Sequence, residues 1–491
     1  MKINMTKYSS VIVYGLGKSG MSCLRFLLNQ GYENVFATDD SADSIVYAKK
    51  NLKREFSDES EDKIFIDPSQ VASKIDGNSK IVFAPGIPLY YPKRHAILDI
   101  VEDGDPRLIC DIELFLDIFA NKDQLQRRVF NIGITGTNGK STISSMIDYT
   151  LSKSDLNSYL VGNIGNAIFD VAQDFLKIEI GNSDESCLVT EISSFQLDLI
   201  KNSAFDVAAI ANFSEDHINR HGSFDNYVKS KFRIVKNSEV GDFLVINYDD
   251  LLLKNYYQRL SGTFDYKIVR TSMLEVLDDG VSLIADSLQI RLFGLDLSYD
   301  VSSMIIRGSH NKENYLIAIA CCLCHLKKIN LLTQNFIDKL IFNSLAFSGL
   351  KHRMQFLGEK SGVRFVNDSK GTNPNSTIFA LNSYDDIFWI VGGDDKGADF
   401  DVLSKSLSKV KKAYVIGKSS ERLEKFLKKN DVKYEICFNL ELAFKKSFLE
   451  AKNFSYNDPV IMLSPACASF DQWKNFEERG DYFCKLFNEI K

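Results

Sequence analysis

The 491-residue sequence predicts an α/β protein of three domains. These are a Rossmann-like N-terminal domain, a P-loop-type central ATPase domain and a Rossmann-like C-terminal domain. Three observations carry this. Short β-branched runs alternate with helical patterns almost throughout, as parallel sheets covered by helices require. A strand entering a glycine loop recurs in each third of the chain. The length accommodates three domains of ~150 residues. The expected division is 1–110, 111–350 and 351–491. One joint precedes "ICDIELFLDIF", which starts a helix after a turn-rich stretch. The other is the glycine-containing link "FSGLKHR".

In the first third, "VIVYG", "NVFATD" and "KIVFAPG" read as parallel strands. "GLGKSG", Gly15 to Gly20, follows the first and fits the dinucleotide fingerprint of strand, tight turn and helix. Asp39 and Asp40 lie at about the spacing of a ribose contact. "KNLKREFSDESEDK", Lys50 to Lys63, is charged at almost every other position and reads as a solvated surface helix and loop.

The middle third repeats the logic with "VFNIGITG", the helical "KSTISSMIDYTLSKS", and the buried strands "SCLVTEIS" and "DVAAIANFS". "GITGTNGKST", Gly133 to Thr142, lets backbone N–H groups converge on phosphate oxygens, and the helix start adds its positive dipole end. Lys140 would reach the β- and γ-phosphates, and Ser141 would offer a hydroxyl to Mg²⁺. The loop is a variant, because Ile134 stands where the strict P-loop has glycine. Glu191, ending a strand near that loop, suits a second Mg²⁺ ligand or a water-positioning group. His217 and His221 imitate a zinc pair, but Ile218 stands where a zincin has glutamate. A Mg²⁺-associated role is expected for His217, and a surface or capping role for His221. "GSHNKEN" sets His310, Asn311 and Asn314 at a helix start, where the two asparagines face a nucleotide base or serve as caps. "CCLCH", Cys321 to His325, formally matches a haem-attachment pattern but lies in an amphipathic helix, where cysteine is a core residue. Residues 250 to 306 read as a β-hairpin set on the central domain.

The last third offers three polar loops after strands. "NDSKGTNPNS" carries Asp368, Ser369, Lys370 and Thr372. "IVGGDDKGADF" carries Gly392, Gly393 and Lys396. "LSPACASFDQWKNFEERG" carries Ser464 and Ser469. Loops at the C-terminal edge of one sheet form a binding edge for an anionic small molecule.

Composition bounds the function. Hydrophobic content of 45% and charged content of 25% are those of a soluble globular chain. A net charge of −6 argues against a nucleic-acid surface. The longest apolar run, Tyr315 to Cys324, falls short of a span of ~18 residues, so no membrane insertion is expected. Nine scattered cysteines suit a reducing compartment, and "MKINMTKYSS" passes straight into a strand, so the cytoplasm is expected.

Together "GITGTNGKST", "TEISSFQLD", "SEDHINRH…YVKSKFRI", "HNKEN", "NDSKGTN" and "LSPACASFDQWKNFEERGDYF" resemble the Mur ligase family, in its motif order and over nearly the whole chain. The resemblance implies an ATP-dependent amide ligase of peptidoglycan precursor synthesis. Its substrates would be UDP-MurNAc-L-alanine, D-glutamate and ATP, joined through an acyl phosphate with two Mg²⁺ ions, by a chain expected to be a monomer. Gly136, Thr137, Asn138, Gly139, Lys140, Ser141, Thr142, Asn314, Arg353, Asp368 and Lys370 match ATP-side positions. Leu16, Gly17, Lys18, Ser19, Asp39, Asp40 and Gly86 match the uridine diphosphate region, and Asn163, Ser193, Gln196 and His217 the region of the UDP-sugar. Thr372, Lys396, Ser469 and Phe476 match positions that hold D-glutamate. Ser141, Glu191 and His217 match metal positions. Lys231 matches a lysine that the family carries as a CO₂-derived carbamate, a further metal ligand; Lys229 is its alternative on spacing alone. The loop "APGI", Ala84 to Ile87, departs from a common "SPGI": it lacks the hydroxyl but keeps backbone N–H groups.

Three other functions share parts of this pattern. Another ligase of the family would keep the ATP loop, but "SPACASFDQWKNFEERG" favours D-glutamate. A dehydrogenase rests on "GLGKSG" and Asp39 alone. A non-catalytic nucleotide-binding regulator has no need of Lys140, Glu191, His217, Lys231 and Lys396 together.

Overall fold

A computed structural model describes residues 8–52, 64–119, 129–172, 186–260, 262, 264–306, 308–395, 397–454 and 458–490. Three sheets organise them. The first holds β1 (Val11–Tyr14), β2 (Val35–Thr38), β3 (Lys80–Phe83) and β4 (Leu108–Ile109) in the order β2-β1-β3-β4, all parallel. Residues Val11 to Tyr14 are buried at every position, as a parallel strand covered on both faces must be.

The second sheet contains β5 (Val129–Thr135), β6 (Asn157–Gly162), β7 (Ser186–Glu191), β8 (Val207–Ile210), β9 (Phe243–Asn247) and β10 (Lys267–Ser272). It continues through β11 (Gly280–Ile284), β12 (Ser287–Arg291) and β13 (Leu297–Asp300), in the order β13-β12-β11-β10-β9-β8-β5-β7-β6. β11 to β13 pair antiparallel, so the expected hairpins extend one edge of the central sheet. β10 instead pairs parallel with β9.

The third sheet holds β14 (Gln355–Lys360), β15 (Val363–Asn367), β16 (Ile387–Gly392), β17 (Val410–Ile416), β18 (Tyr434–Phe438) and β19 (Val460–Leu463). Its order is β14-β15-β19-β16-β17-β18, parallel except for β14.

By compactness the chain forms two units, residues 1–303 with 310–345, and 304–309 with 346–491. The first unit contains both the first and second sheets, and its core runs without a break from one to the other. The helix Asp111–Phe119 joins them. Its Phe115 and Phe119 rings stack at 4.3 Å; Phe26 and Phe169, from either side, lie 4.9 Å apart and also touch these two rings. "CCLCH" sits within the helix Ser309–Lys328, with Cys321, Cys322, Cys324 and His325 all buried, so it is core. All nine cysteines are free thiols. The charged stretch Lys50 to Lys63 lies outside the described residues beyond Leu52 and before Ile64. Among the described residues no helix is long and apolar enough to cross a membrane.

Phe115→Ala removes the central ring of this joint and leaves a cavity. It is expected to lower stability by about 3–5 kcal/mol, read as a lower denaturant midpoint in chemical unfolding.

Candidate active site

The glycine loop forms where β5 ends. Gly136 has φ of 147° and Gly139 of 83°, conformations that side chains disfavour. A Cβ on Gly139 would lie 2.2 Å from Asn314 Oδ1, so the buried Asn314 carboxamide packs against the loop. Gly133 proves different from its expected place in the loop. It lies inside β5, where a Cβ would strike the Phe205 ring at 2.5 Å, so it serves sheet packing and not phosphate. The N–H groups of Thr137 and Asn138 donate to the Asn212 backbone and side-chain oxygens, at 3.0 and 2.9 Å. The helix Lys140–Lys153 begins directly after the loop, and its first N–H groups have no helical partners. Ser141 is buried in that first turn, and Thr142 follows it.

Lys140 Nζ folds back onto the carbonyls of Gly136 and Thr137, at 2.9 and 2.8 Å. Lys231 comes from the helix Phe224–Phe232 and donates to the same Gly136 carbonyl at 2.8 Å. It is 1% exposed, with Nζ 4.5 Å from the Tyr227 ring centre. Burial, with Lys140 as a like-charged neighbour, pushes its pKa down to about 6. At neutral pH this amine is mostly uncharged. Lys229 is exposed and lines a different cleft, which separates the two lysines that spacing alone left open.

Glu191 ends β7, buried, and its Oε2 has no hydrogen-bond partner. A buried carboxylate oxygen without a partner fits a divalent cation. Among the described residues no three His, Cys, Asp or Glu side chains converge on one point. Mg²⁺ suits such a site, because it binds through one or two carboxylates plus substrate phosphates. His217 has φ of 52° and lines a cleft together with Lys140 and Lys231. Burial, with Lys140, Lys231 and Arg220 nearby, holds its pKa below the ordinary value and outweighs Asp216, which lies 3.5 Å from Nε2, so the charged ring is disfavoured.

The cleft has a volume of about 290 Å³. Its walls are the loops at the C-terminal ends of parallel strands: Pro85 and Gly86 after β3, Asn163 after β6, and Ser193 to Phe195 after β7. His217, Arg220, Tyr227 and Lys231 close it. Arg220 lay outside the sequence reading. It stacks 4.1 Å over the Phe195 ring and donates to the carbonyls of Pro85, Gly86 and Ile87. Its only signal in the sequence was its place in "DHINRH". His221 is not the expected surface residue. It is 6% exposed, with Nε2 2.9 Å from Ser194 Oγ, and its ring stacks on Phe195. Gln196 is buried, and its Oε1 caps Ser193 N–H and Oγ at 3.0 Å each.

At the first sheet, Gly15 has φ of 99°, and a Cβ there would meet Ala84 Cβ at 2.4 Å. Asp39 accepts from Leu16 N–H at 2.7 Å and Ser41 N–H at 2.9 Å, so it fastens the glycine turn. Asp40 accepts from Tyr14 Oη at 2.7 Å and faces His95 Nε2 at 2.9 Å. Gly17, Lys18 and Ser19 open the helix Lys18–Asn29, with Gly17 as N-cap. Lys18 Nζ donates to Gly165 O at 2.8 Å, tying that helix start to the central sheet's loops. In "APGI", Ala84 N–H donates to Tyr14 O and Ile87 N–H to Ala84 O. Pro85 has no N–H, so the expected set of backbone donors reduces to Gly86.

In the second unit the three polar loops do gather at one edge, because β15, β19 and β16 are neighbours. Ser464 Oγ donates to Asp368 Oδ2 at 2.7 Å. Burial pushes the Asp368 pKa up to about 7, against that hydrogen bond, one from Met354 N–H and the charge of Arg353. Lys370 Nζ stands 5.8 Å from the Phe476 ring centre. Thr372 follows, and Ser469 is buried in the loop after β19. Arg479 was missed by the sequence reading. Fully buried, it donates to Ser369 and to Cys467 O, locking two of the loops together. Lys396 lies outside the described residues.

Strand, glycine loop and paired lysines define a phosphate-handling α/β enzyme. The chain matches the description "Mur ligase middle domain" over residues 134–322 and "Mur ligase, glutamate ligase domain" over 352–467. A UDP-N-acetylmuramoylalanine--D-glutamate ligase of Wolbachia sp. subsp. Brugia malayi (strain TRS) is 34% identical, over 100% of this chain and 98% of that one. The ligase of the same name from Clostridioides difficile (strain 630) is also 34% identical, over 99% of each. The crystal structure of UDP-N-acetylmuramate-alanine ligase from Thermotoga maritima shares the fold, with a TM-score of 0.52 and 14% identity over 98% of this chain and 100% of that one. The chain belongs to the Mur ligase family.

The depressed pKa of Lys231 makes a stability prediction. Between about pH 6 and ~10.4, the ordinary lysine value, the unfolded chain holds a proton that the native chain has shed. Native stability therefore rises with pH across that window. In bicarbonate-free buffer, the melting temperature of the native chain is expected to gain on that of Lys231→Met between pH 6.5 and 9. A flat difference contradicts the assignment.

Proposed function

We propose that the chain is an ATP-dependent ligase that joins D-glutamate to the alanyl carboxylate of UDP-N-acetylmuramoyl-L-alanine in peptidoglycan precursor synthesis. The observation that carries this is the pair Lys140 and Lys231 converging on the Gly136 carbonyl in a cleft that His217 also lines. Full-length relatives bearing that activity in their names support it.

The substrate carboxylate takes the γ-phosphoryl group, and ADP leaves. The D-glutamate amine then attacks the acyl carbon, the tetrahedral adduct collapses, and phosphate and a proton depart. Phosphate is a good leaving group, so no enzyme nucleophile is needed. The protein's task is to align and neutralise anions. Lys140 and the first N–H groups of its helix meet the phosphates. Ser141, Glu191, His217 and a carbamylated Lys231 would hold two Mg²⁺ ions, which spread phosphate charge when bound. The neutral Lys231 amine can form an N–C bond with CO₂ and release one proton. The product is an anion, where an ammonium group would repel the metal. Asn314, Arg353, Asp368 and Lys370 serve the ATP side. Leu16 to Ser19, Asp39, Asp40 and Gly86 serve the uridine diphosphate, with Asn163, Ser193 and Gln196 nearer the sugar. Thr372, Lys396, Ser469 and Phe476 serve D-glutamate. Residues 1–110, 111–350 and 351–491 act as three domains for UDP-substrate, ATP and amino acid. We assign the enzyme to the cytoplasm, as a monomer.

Phosphate release with ATP, Mg²⁺ and UDP-MurNAc-L-alanine is expected to require D-glutamate; turnover only with another amino acid would overturn the choice. Lys231→Ala is expected to lose roughly 10²–10³ in kcat, the scale of losing one electrostatic group. Small carboxylic acids should restore part of it by replacing the carbamate. Full activity in the unsupplemented variant would remove the carbamate from the reading.

A further inference from the structure

A second cleft, of about 570 Å³, shares Arg220 with the reaction cleft but none of its other walls. Its volume is that of a small-ligand site. Arg94, Lys201, Arg220, Lys229 and Arg233 line it against only two carboxylates, Asp103 and Asp198. Those carboxylates are already engaged. Asp198 lies 3.5 Å from Arg233 and 3.8 Å from the His221 ring, and Asp103 accepts from the Tyr90 hydroxyl. Arg94 pairs with Asp99, outside the cleft. Among the described residues, Lys201 and Lys229 have no carboxylate at ion-pair distance. Lys201 is also half-buried; burial, with Arg233 and Lys236 as like charges, pulls its pKa down. A surplus of crowded cations in a concave site is what a multivalent anion relieves. The two lysine point charges, beside an Arg233 guanidinium that Asp198 meets only at Nε and at 3.5 Å, suit phosphate oxygens. The exposed Tyr90 and Tyr91 rings flank the opening.

We propose that this cleft is a second anion site, which binds a small phosphate-bearing molecule through Lys201, Lys229 and Arg233. Nothing in the ligase reaction requires it, and it stands whether or not that reading holds.

The test is calorimetric titration with inorganic pyrophosphate, without Mg²⁺, on a Lys140→Ala chain whose phosphate loop is disabled. Saturable binding is expected to persist there. It should weaken about tenfold or more when Lys201→Gln and Lys229→Gln are added. Absence of a saturable site, or affinity unchanged by the two substitutions, overturns the proposal. Equal affinity for citrate overturns the phosphate assignment. Acetylation footprinting of the unsubstituted chain gives a readout free of folding defects. Pyrophosphate should protect Lys201 and Lys229, and unchanged labelling of both would count against the site.

Discussion

Two lysines crowd one carbonyl. Lys140 and Lys231 both donate to Gly136 O, and Lys231 does so from a nearly water-free position. Like charges this close are tolerated only if one loses its proton or an anion arrives. The fold supplies the first solution by pushing the Lys231 pKa down to about 6. ATP phosphates, and a carbamate on Lys231, would supply the second. The surroundings follow this constraint. Tyr227 lays its ring against Lys231 Nζ, one Glu191 oxygen has no hydrogen-bond partner, and burial among cations lowers the His217 pKa.

The first and second sheets are held as one unit, and this gives the cleft its shape. The Phe26, Phe115, Phe119 and Phe169 cluster fixes the sheets through apolar packing. Arg220 and Lys18 then make polar ties across the loops. Because Arg220 hydrogen-bonds three successive carbonyls, the loop Pro85–Ile87 has a fixed height over the cleft. "GLGKSG" therefore does not stand alone. Its helix start is anchored to Gly165, in the loop after β6 of the second sheet.

Much of the fold was legible in the sequence. The apolar strand runs and glycine loops fell where the strands β1, β5, β7, β15 and β16 begin and end, because buried parallel strands leave an unbroken hydrophobic mark. "CCLCH" was rightly read as core. The misreadings share one cause. Gly133 was counted with the loop because its strand-side partner, Phe205, is 72 positions away. His221 has the local pattern of a surface or capping group, but Ser194 and Phe195, outside its stretch, bury it. Arg220 and Arg479 had no mark beyond their places in "DHINRH" and "NFEERG", since both act on loops outside their own stretch.

The sequence by itself determined the local pattern: a strand, a glycine loop and a helix start, with lysine, hydroxyl and carboxylate in order, which is the arrangement that phosphate binding uses. Tertiary structure decided which lysine is neutral, which glycine packs and which backbone donors stay open. Those properties depend on burial and on charges brought close from far along the chain, and spacing along a sequence contains neither.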